Sequence, residues 1–139
     1  TLEGAGCVNL TDDGLESLTR LSNLRTLNLG SWRGPLSPAG GASSAERCCC
    51  RLTDRSLAAL GSLTSLESVD LAGNANFTDE GVARLGALTG LTRLSLGGCA
   101  LVTNRGLRQM LPPLSSLREL QLSCLGGITD QGISAAAGL

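Results

Sequence analysis

The feature that most constrains this chain is a threonine that returns in a fixed frame of leucines. Thr11, Thr53, Thr78, Thr103 and Thr129 open successive stretches, at intervals of 42, 25, 25 and 26 residues. After Thr78 the apolar positions are Val82, Leu85, Leu88, Leu91, Leu94 and Leu96. The same frame follows Thr11 (Leu15, Leu18, Leu21, Leu24, Leu27, Leu29) and Thr53 (Leu57, Leu60, Leu63, Leu66, Val69, Leu71). It follows Thr103 with one residue added near Pro112-Pro113 (Leu107, Met110, Leu114, Leu117, Leu120, Leu122), and it breaks off after Ile133, Ala136 and Leu139.

Each unit has two halves. In the first, apolar residues return every three or four positions, which predicts a helix. A threonine in front of it is a good N-cap, and the acid that follows suits the helix dipole; Asp12, Asp54, Asp79 and Asp130 hold that place. In the second half, Leu94 and Leu96 lie two apart and share one face of a short strand. A single unit cannot bury its leucines, so units must stack and share a core. A period of 20–29 residues with this leucine spacing marks a leucine-rich repeat. The expected fold is therefore an α/β solenoid of about five partial or complete repeats, with short parallel strands on the concave face and helices on the convex face. The solenoid spans residues 1–139 and is interrupted by an insertion at 32–48. Because Leu2 and Cys7 match Leu94 and Cys99, the chain reads as a piece of a longer solenoid.

The phrase L-x-x-L-x-L-x-x-C-x-x-x-T-D-x-G-L resembles the cysteine-containing leucine-rich repeats found beside F-boxes and in proteins like the antagonist of the mitotic exit network. The resemblance covers most of the chain outside the insertion. It implies substrate recognition in a Skp–cullin–F-box ubiquitin ligase, joined through an F-box outside these residues, and so proteasomal protein catabolism. It also leaves, as the alternative, a structural scaffold of the cytoskeleton or ciliary axoneme without a ligase role. It implies, too, that Cys7, Cys49, Asn74, Cys99 and Cys124 form a ladder of small polar side chains turning the chain off each strand. On that reading the six cysteines are free thiols of a reducing compartment. The expected location is cytoplasmic, with the cytoskeleton, axoneme or nucleus as variants.

Composition removes whole classes of chemistry from this segment. It has no histidine, which excludes Ser-His-Asp and Cys-His catalysis within it. Neither phosphate-binding glycine motif is present. The Cys48-Cys49-Cys50 run lacks the paired spacing and further ligands that zinc requires. No enzyme activity, cofactor or metal is expected. The net charge of −1 offers no basic footprint for nucleic acid. No apolar run reaches the 18 residues of a membrane span. The Asn9-Leu10-Thr11 and Asn76-Phe77-Thr78 sequons follow from the capping threonine.

The insertion WRGPLSPAGGASSAERC is rich in Gly, Pro, Ser and Ala, as a surface loop is. It carries a minimal P-x-x-P from Pro35 to Pro38 and a Ser37-Pro38 pair. Function then falls to the concave strip, where a protein partner is expected. Its positions between core leucines include Thr26, Asn28, Ser68, Asp70, Arg93, Ser95, Glu119 and Gln121. Arginine is favoured at binding hot spots. Arg93 is the leading contact candidate, with Asn28, Asp70, Ser95, Glu119 and Gln121 around it.

Overall fold

The computed structural model describes residues 1–4, 7, 9–30 and 51–136. Cys49 and the insertion at 32–48 lie outside them. Five short strands alternate with helices: β1 (Leu2–Glu3), α1 (Asp12–Ser17), β2 (Thr26–Asn28), α2 (Asp54–Leu60), β3 (Ser68–Asp70), α3 (Asp79–Ala83), β4 (Arg93–Ser95), α4 (Asn104–Met110), β5 (Glu119–Gln121) and α5 (Asp130–Ala136). Short 3₁₀ turns extend α1 through Leu18–Arg20 and α3 through Arg84–Ala87. The strands form one parallel sheet in chain order. Its register aligns Leu2, Leu27, Val69, Leu94 and Leu120. Every connection steps to the adjacent strand, which makes the chain an α/β leucine-rich-repeat solenoid.

The frame of leucines explains the core. Leu66, Val69 and Leu71 of one unit meet Leu91, Leu94 and Leu96 of the next, all buried. Burying one such side chain is worth about 1.5–3 kcal/mol. The frame is incomplete in one respect. The residue just before each threonine is also apolar, and Leu52, Phe77 and Val102 are fully buried there. Phe77 is the largest of the fully buried side chains. The extra residue of the fourth unit is taken up where Met110 and Leu111 are both buried and Pro112 and Pro113 stay exposed.

Two apolar positions expected in the core are exposed instead: Leu21 at 45% and Ile133 at 51%. Leu21 follows the 3₁₀ turn after α1 and Ile133 lies in α5, the first and last units, which have a described helix on one side only. Their counterparts Leu88 and Val82, with units on both sides, are fully buried.

The Thr-Asp pair works differently from a cap confined to one helix. Thr53 and Thr103 do cap their own helices, accepting from the backbone N–H of Arg55 and Arg105. The following aspartate reaches forward to the next unit. Asp54 accepts from the Thr78 backbone N–H at 2.9 Å and from its hydroxyl at 2.5 Å. Asp79 does the same to Thr103, at 2.7 and 2.6 Å. Asp12 does so to Thr53 across the insertion, at 2.9 and 2.7 Å. Asn104 completes the series: its Oδ1 accepts from the Thr129 N–H at 2.9 Å and its Nδ2 donates to the Thr129 hydroxyl at 2.8 Å.

This brace also explains the glycine two residues beyond each aspartate. A Cβ at Gly106 would lie 2.5 Å from an Asp79 carboxylate oxygen, and one at Gly81 or Gly132 would overlap Asp54 or Asn104. Where the second unit has Ser56 instead, its hydroxyl donates to Asp12. At Gly14, which no preceding acid faces in the described residues, a Cβ would meet nothing closer than Leu10 Cδ1 at 3.3 Å.

Candidate functional site

The expected concave residues fall into two rows fixed by the sheet register. Thr26, Ser68, Arg93 and Glu119 stand side by side on β2 to β5, and Asn28, Asp70, Ser95 and Gln121 form the row above. Over β3, β4 and β5 these rows bound an open recess of about 600 Å³. Asp70, Arg93, Ser95, Glu119 and Gln121 line it together; Asn28 lies outside, one strand beyond its edge. Arg118 lines it as well, and also lines a second notch with Glu67 and Thr92. The sequence reading missed Arg118 because it precedes the alternating positions of β5. The signal was an arginine beside Leu117 at the mouth of the strand.

The side chains of the strip are held to different degrees. Arg93 Nε donates to the Ser68 hydroxyl at 3.3 Å, which leans the guanidinium toward β3. Its register partner Glu119 is therefore left without an ion pair among the described residues, although opposite charges on neighbouring strands usually attract. Ser95 donates to Gln121 Oε1 at 3.2 Å. Asn28 and Asp70 have a local duty that their position alone did not reveal. Asn28 Oδ1 accepts from the Gly30 N–H at 3.1 Å, and Asp70 Oδ1 accepts from the Ala72 N–H at 3.0 Å. Each closes the turn that leaves its strand. Asp70 also leans across Gly30, where a Cβ would come within 2.6 Å of its carboxylate.

Three other arginines are engaged in ion pairs. Arg25 pairs with Glu67 at 2.7 Å, Arg55 with Asp13 and Glu16, and Arg105 with Glu80. Among the described residues Arg93 and Arg118, like Arg20, Arg51, Arg84 and Arg108, are in no ion pair, and they are the two arginines that line the recess.

The ladder residues divide. Asn74 and Cys99 occupy equivalent places, three residues after Leu71 and Leu96, and both are fully buried. Both donate to the Leu71 carbonyl, Asn74 Nδ2 at 2.8 Å and Cys99 Sγ at 3.4 Å. Burial pushes the Cys99 thiol up to about 12. Cys7 holds the equivalent place after Gly4 but is exposed. Cys124 departs from the expectation. It comes two residues after Leu122, at the position of Gly73 and Gly98, and shares their positive φ (56° against 83° and 73°). It is exposed, and Leu125 takes the buried place instead. The one-residue offset puts a side chain where the turn favours glycine.

Among the described residues no group of three or more His, Cys, Asp or Glu could hold a metal ion. No helix among them is long and apolar enough to cross a membrane.

The geometry defines a leucine-rich-repeat solenoid with a polar concave strip. A leucine-rich-repeat family model matches residues 62–86, one full turn of the solenoid. Among solved structures, a chain of the yeast Rad7–Elc1 complex shares the fold, with a TM-score of 0.65 over 92% of this chain at 19% identity. This chain spans 29% of the length of that one. No curated protein matches by sequence.

Proposed function

We propose that this solenoid is a protein-binding module whose partner lies on the concave strip over β3 to β5. The observation that carries this reading is the recess that gathers Arg93 and Arg118, both free of ion pairs, with Asp70, Ser95, Glu119 and Gln121. A rigid sheet presents these polar groups to solvent at fixed spacing, which favours recognition over chemistry. The structure of similar fold was determined as a complex of two proteins, which supports a protein partner. The T-D-x-G-L phrase favours a more specific role, substrate recognition within a Skp–cullin–F-box ubiquitin ligase. That role rests on the motif resemblance.

A photo-crosslinking residue placed at Ser95 on the strip, or at exposed Ala58 on the convex side, tests the surface in cells. Adducts at position 95 and none at 58 are expected. Equal labelling at both would place the partner elsewhere. Skp and cullin subunits co-purifying with the full-length protein would support the ligase role. Their absence from a preparation that still carries the Ser95 adduct would remove that role and leave the binding module standing.

A further inference from the structure

The recess has a polarity of its own that narrows the partner. On the β1–β3 side of the strip the charges in no ion pair among the described residues are Glu3 and Asp70, because Arg25 and Glu67 neutralise one another at 2.7 Å. On the β4–β5 side they are Arg93, Arg118 and Glu119. One end of the face is therefore acidic and the other carries a net single positive charge. A phosphate or a run of acids would meet Glu119 and Asp70 as well as the arginines. One carboxylate matches the single excess positive charge, and a cation matches the acidic end.

We infer that the partner segment is extended and charge-dipolar, with a basic residue over Asp70 and an acidic residue at Arg93 and Arg118. This deepens the concave-face reading and rests on it. Asp70 on β3 is in register with Gln121 on β5, and Arg118 lies three residues before Gln121. Two strand spacings of about 4.8 Å and about 10 Å along the strand put Asp70 and Arg118 about 14 Å apart. An extended chain covers that in about four residues, so the segment carries its basic and acidic residues about four positions apart. Asp70 keeps a second carboxylate oxygen for this contact, since only Oδ1 closes the turn to Ala72. Arg93 likewise keeps its terminal nitrogens, since only Nε is held by Ser68.

A random 12-residue phage-displayed peptide library, panned on the full chain, supplies the probe, and selected peptides are resynthesised for fluorescence anisotropy. Asp70→Asn keeps the turn, as Asn28 already does one strand away, and removes only the charge. Peptides with a base and an acid about four residues apart are expected. Asp70→Asn, and Arg93→Gln with Arg118→Gln, should each weaken them about 1.5-fold to fivefold, as loss of a partly exposed charge contact does. Replacing the peptide's base by Gln should cost the same on the native chain and nothing more on Asp70→Asn. Circular dichroism checks that each variant stays folded. Ser95→Trp, which fills the recess, separates the two ideas. Peptides blocked by Ser95→Trp but indifferent to the charge variants overturn the dipolar segment and leave the concave site. Peptides indifferent to Ser95→Trp overturn the concave site itself, and a library that enriches no peptide counts against both.

Discussion

The Asp79 carboxylate holds Thr103 of the next repeat by two hydrogen bonds, one to its backbone N–H at 2.7 Å and one to its hydroxyl at 2.6 Å. Thr103 in turn accepts from the Arg105 N–H at the start of its own helix. One acid thus orders the cap of the following unit. A hydrogen bond to a charged group is worth about 1.5–3 kcal/mol, and removing one partner leaves the other unsatisfied. Asp79→Ala should therefore lower stability by about 1–3 kcal/mol in urea unfolding. Asp79→Asn should lose less, because Asn104 already braces Thr129 with an amide. If both variants unfold with the native chain, the brace carries no stability.

The glycine that faces this brace gives a prediction of opposite sign to helix propensity. Alanine in place of a helical glycine ordinarily gains about 1 kcal/mol. At Gly106 the added Cβ would sit 2.5 Å from the Asp79 oxygen and 2.8 Å from Val82 Cγ2. Gly106→Ala should instead destabilise by about 1–3 kcal/mol, the usual cost of overpacking. Combining it with Asp79→Ala should recover part of that loss. Thermal unfolding of the two single variants and the double variant closes the cycle.

The register of the solenoid was legible because its leucines repeat with the periods of the two elements they occupy. The positions of Arg93, Ser95, Glu119 and Gln121 on the concave face followed from alternation along the strands. The brace was not legible, because its partners lie 24 residues apart, in adjacent turns of the solenoid. Local reading assigns Asp79 to its own helix, while packing hands it to the next. Cys124 misled for a related reason. Residue type suggested the buried ladder, but the count from Leu122 puts it one place short, on the turn. Asn28 and Asp70 were read as surface contacts, and their bonds to Gly30 and Ala72 appear only once the turn is built.

Acid should loosen the first brace. Partial burial of Asp12 raises its pKa, but the hydroxyl of Ser56, the backbone N–H and hydroxyl of Thr53, and the charge of Arg55 together outweigh it and hold it below the usual carboxylate value. The stability this group contributes is fully present above the unfolded-state pKa near 3.8 and is lost as pH falls through the lower folded value. Asp12→Asn, which cannot titrate, should flatten that part of the acid limb. Urea midpoints measured from pH 7 to pH 2 by circular dichroism give the comparison. Parallel acid limbs for the two proteins would mean that the Thr53 and Ser56 contacts do not favour the ionised form.

The turn after β5 should be improved by removing a side chain. Cys124 adopts φ 56°, in the left-handed region, where the two equivalent residues are Gly73 and Gly98. A non-glycine residue there costs roughly 1–2 kcal/mol through crowding of its Cβ, while glycine gives some of that back as unfolded-chain entropy. Cys124→Gly should therefore stabilise the protein by roughly 0.5–1 kcal/mol, and Cys124→Ala, which keeps the Cβ, should not. The same position distinguishes the thiols. Cys124 and Cys7 are exposed, whereas Cys99 is buried and its pKa stands at about 12. The thiolate is the reactive form. A maleimide at neutral pH should thus modify Cys7 and Cys124 in the folded chain, and Cys99 only after urea is added, as read by peptide mass mapping. Rapid labelling of Cys99 without denaturant would mean that the turn between β4 and α4 opens on its own. A Cys124→Gly variant less stable than Cys124→Ala would mean that the thiol, rather than the backbone, decides the turn.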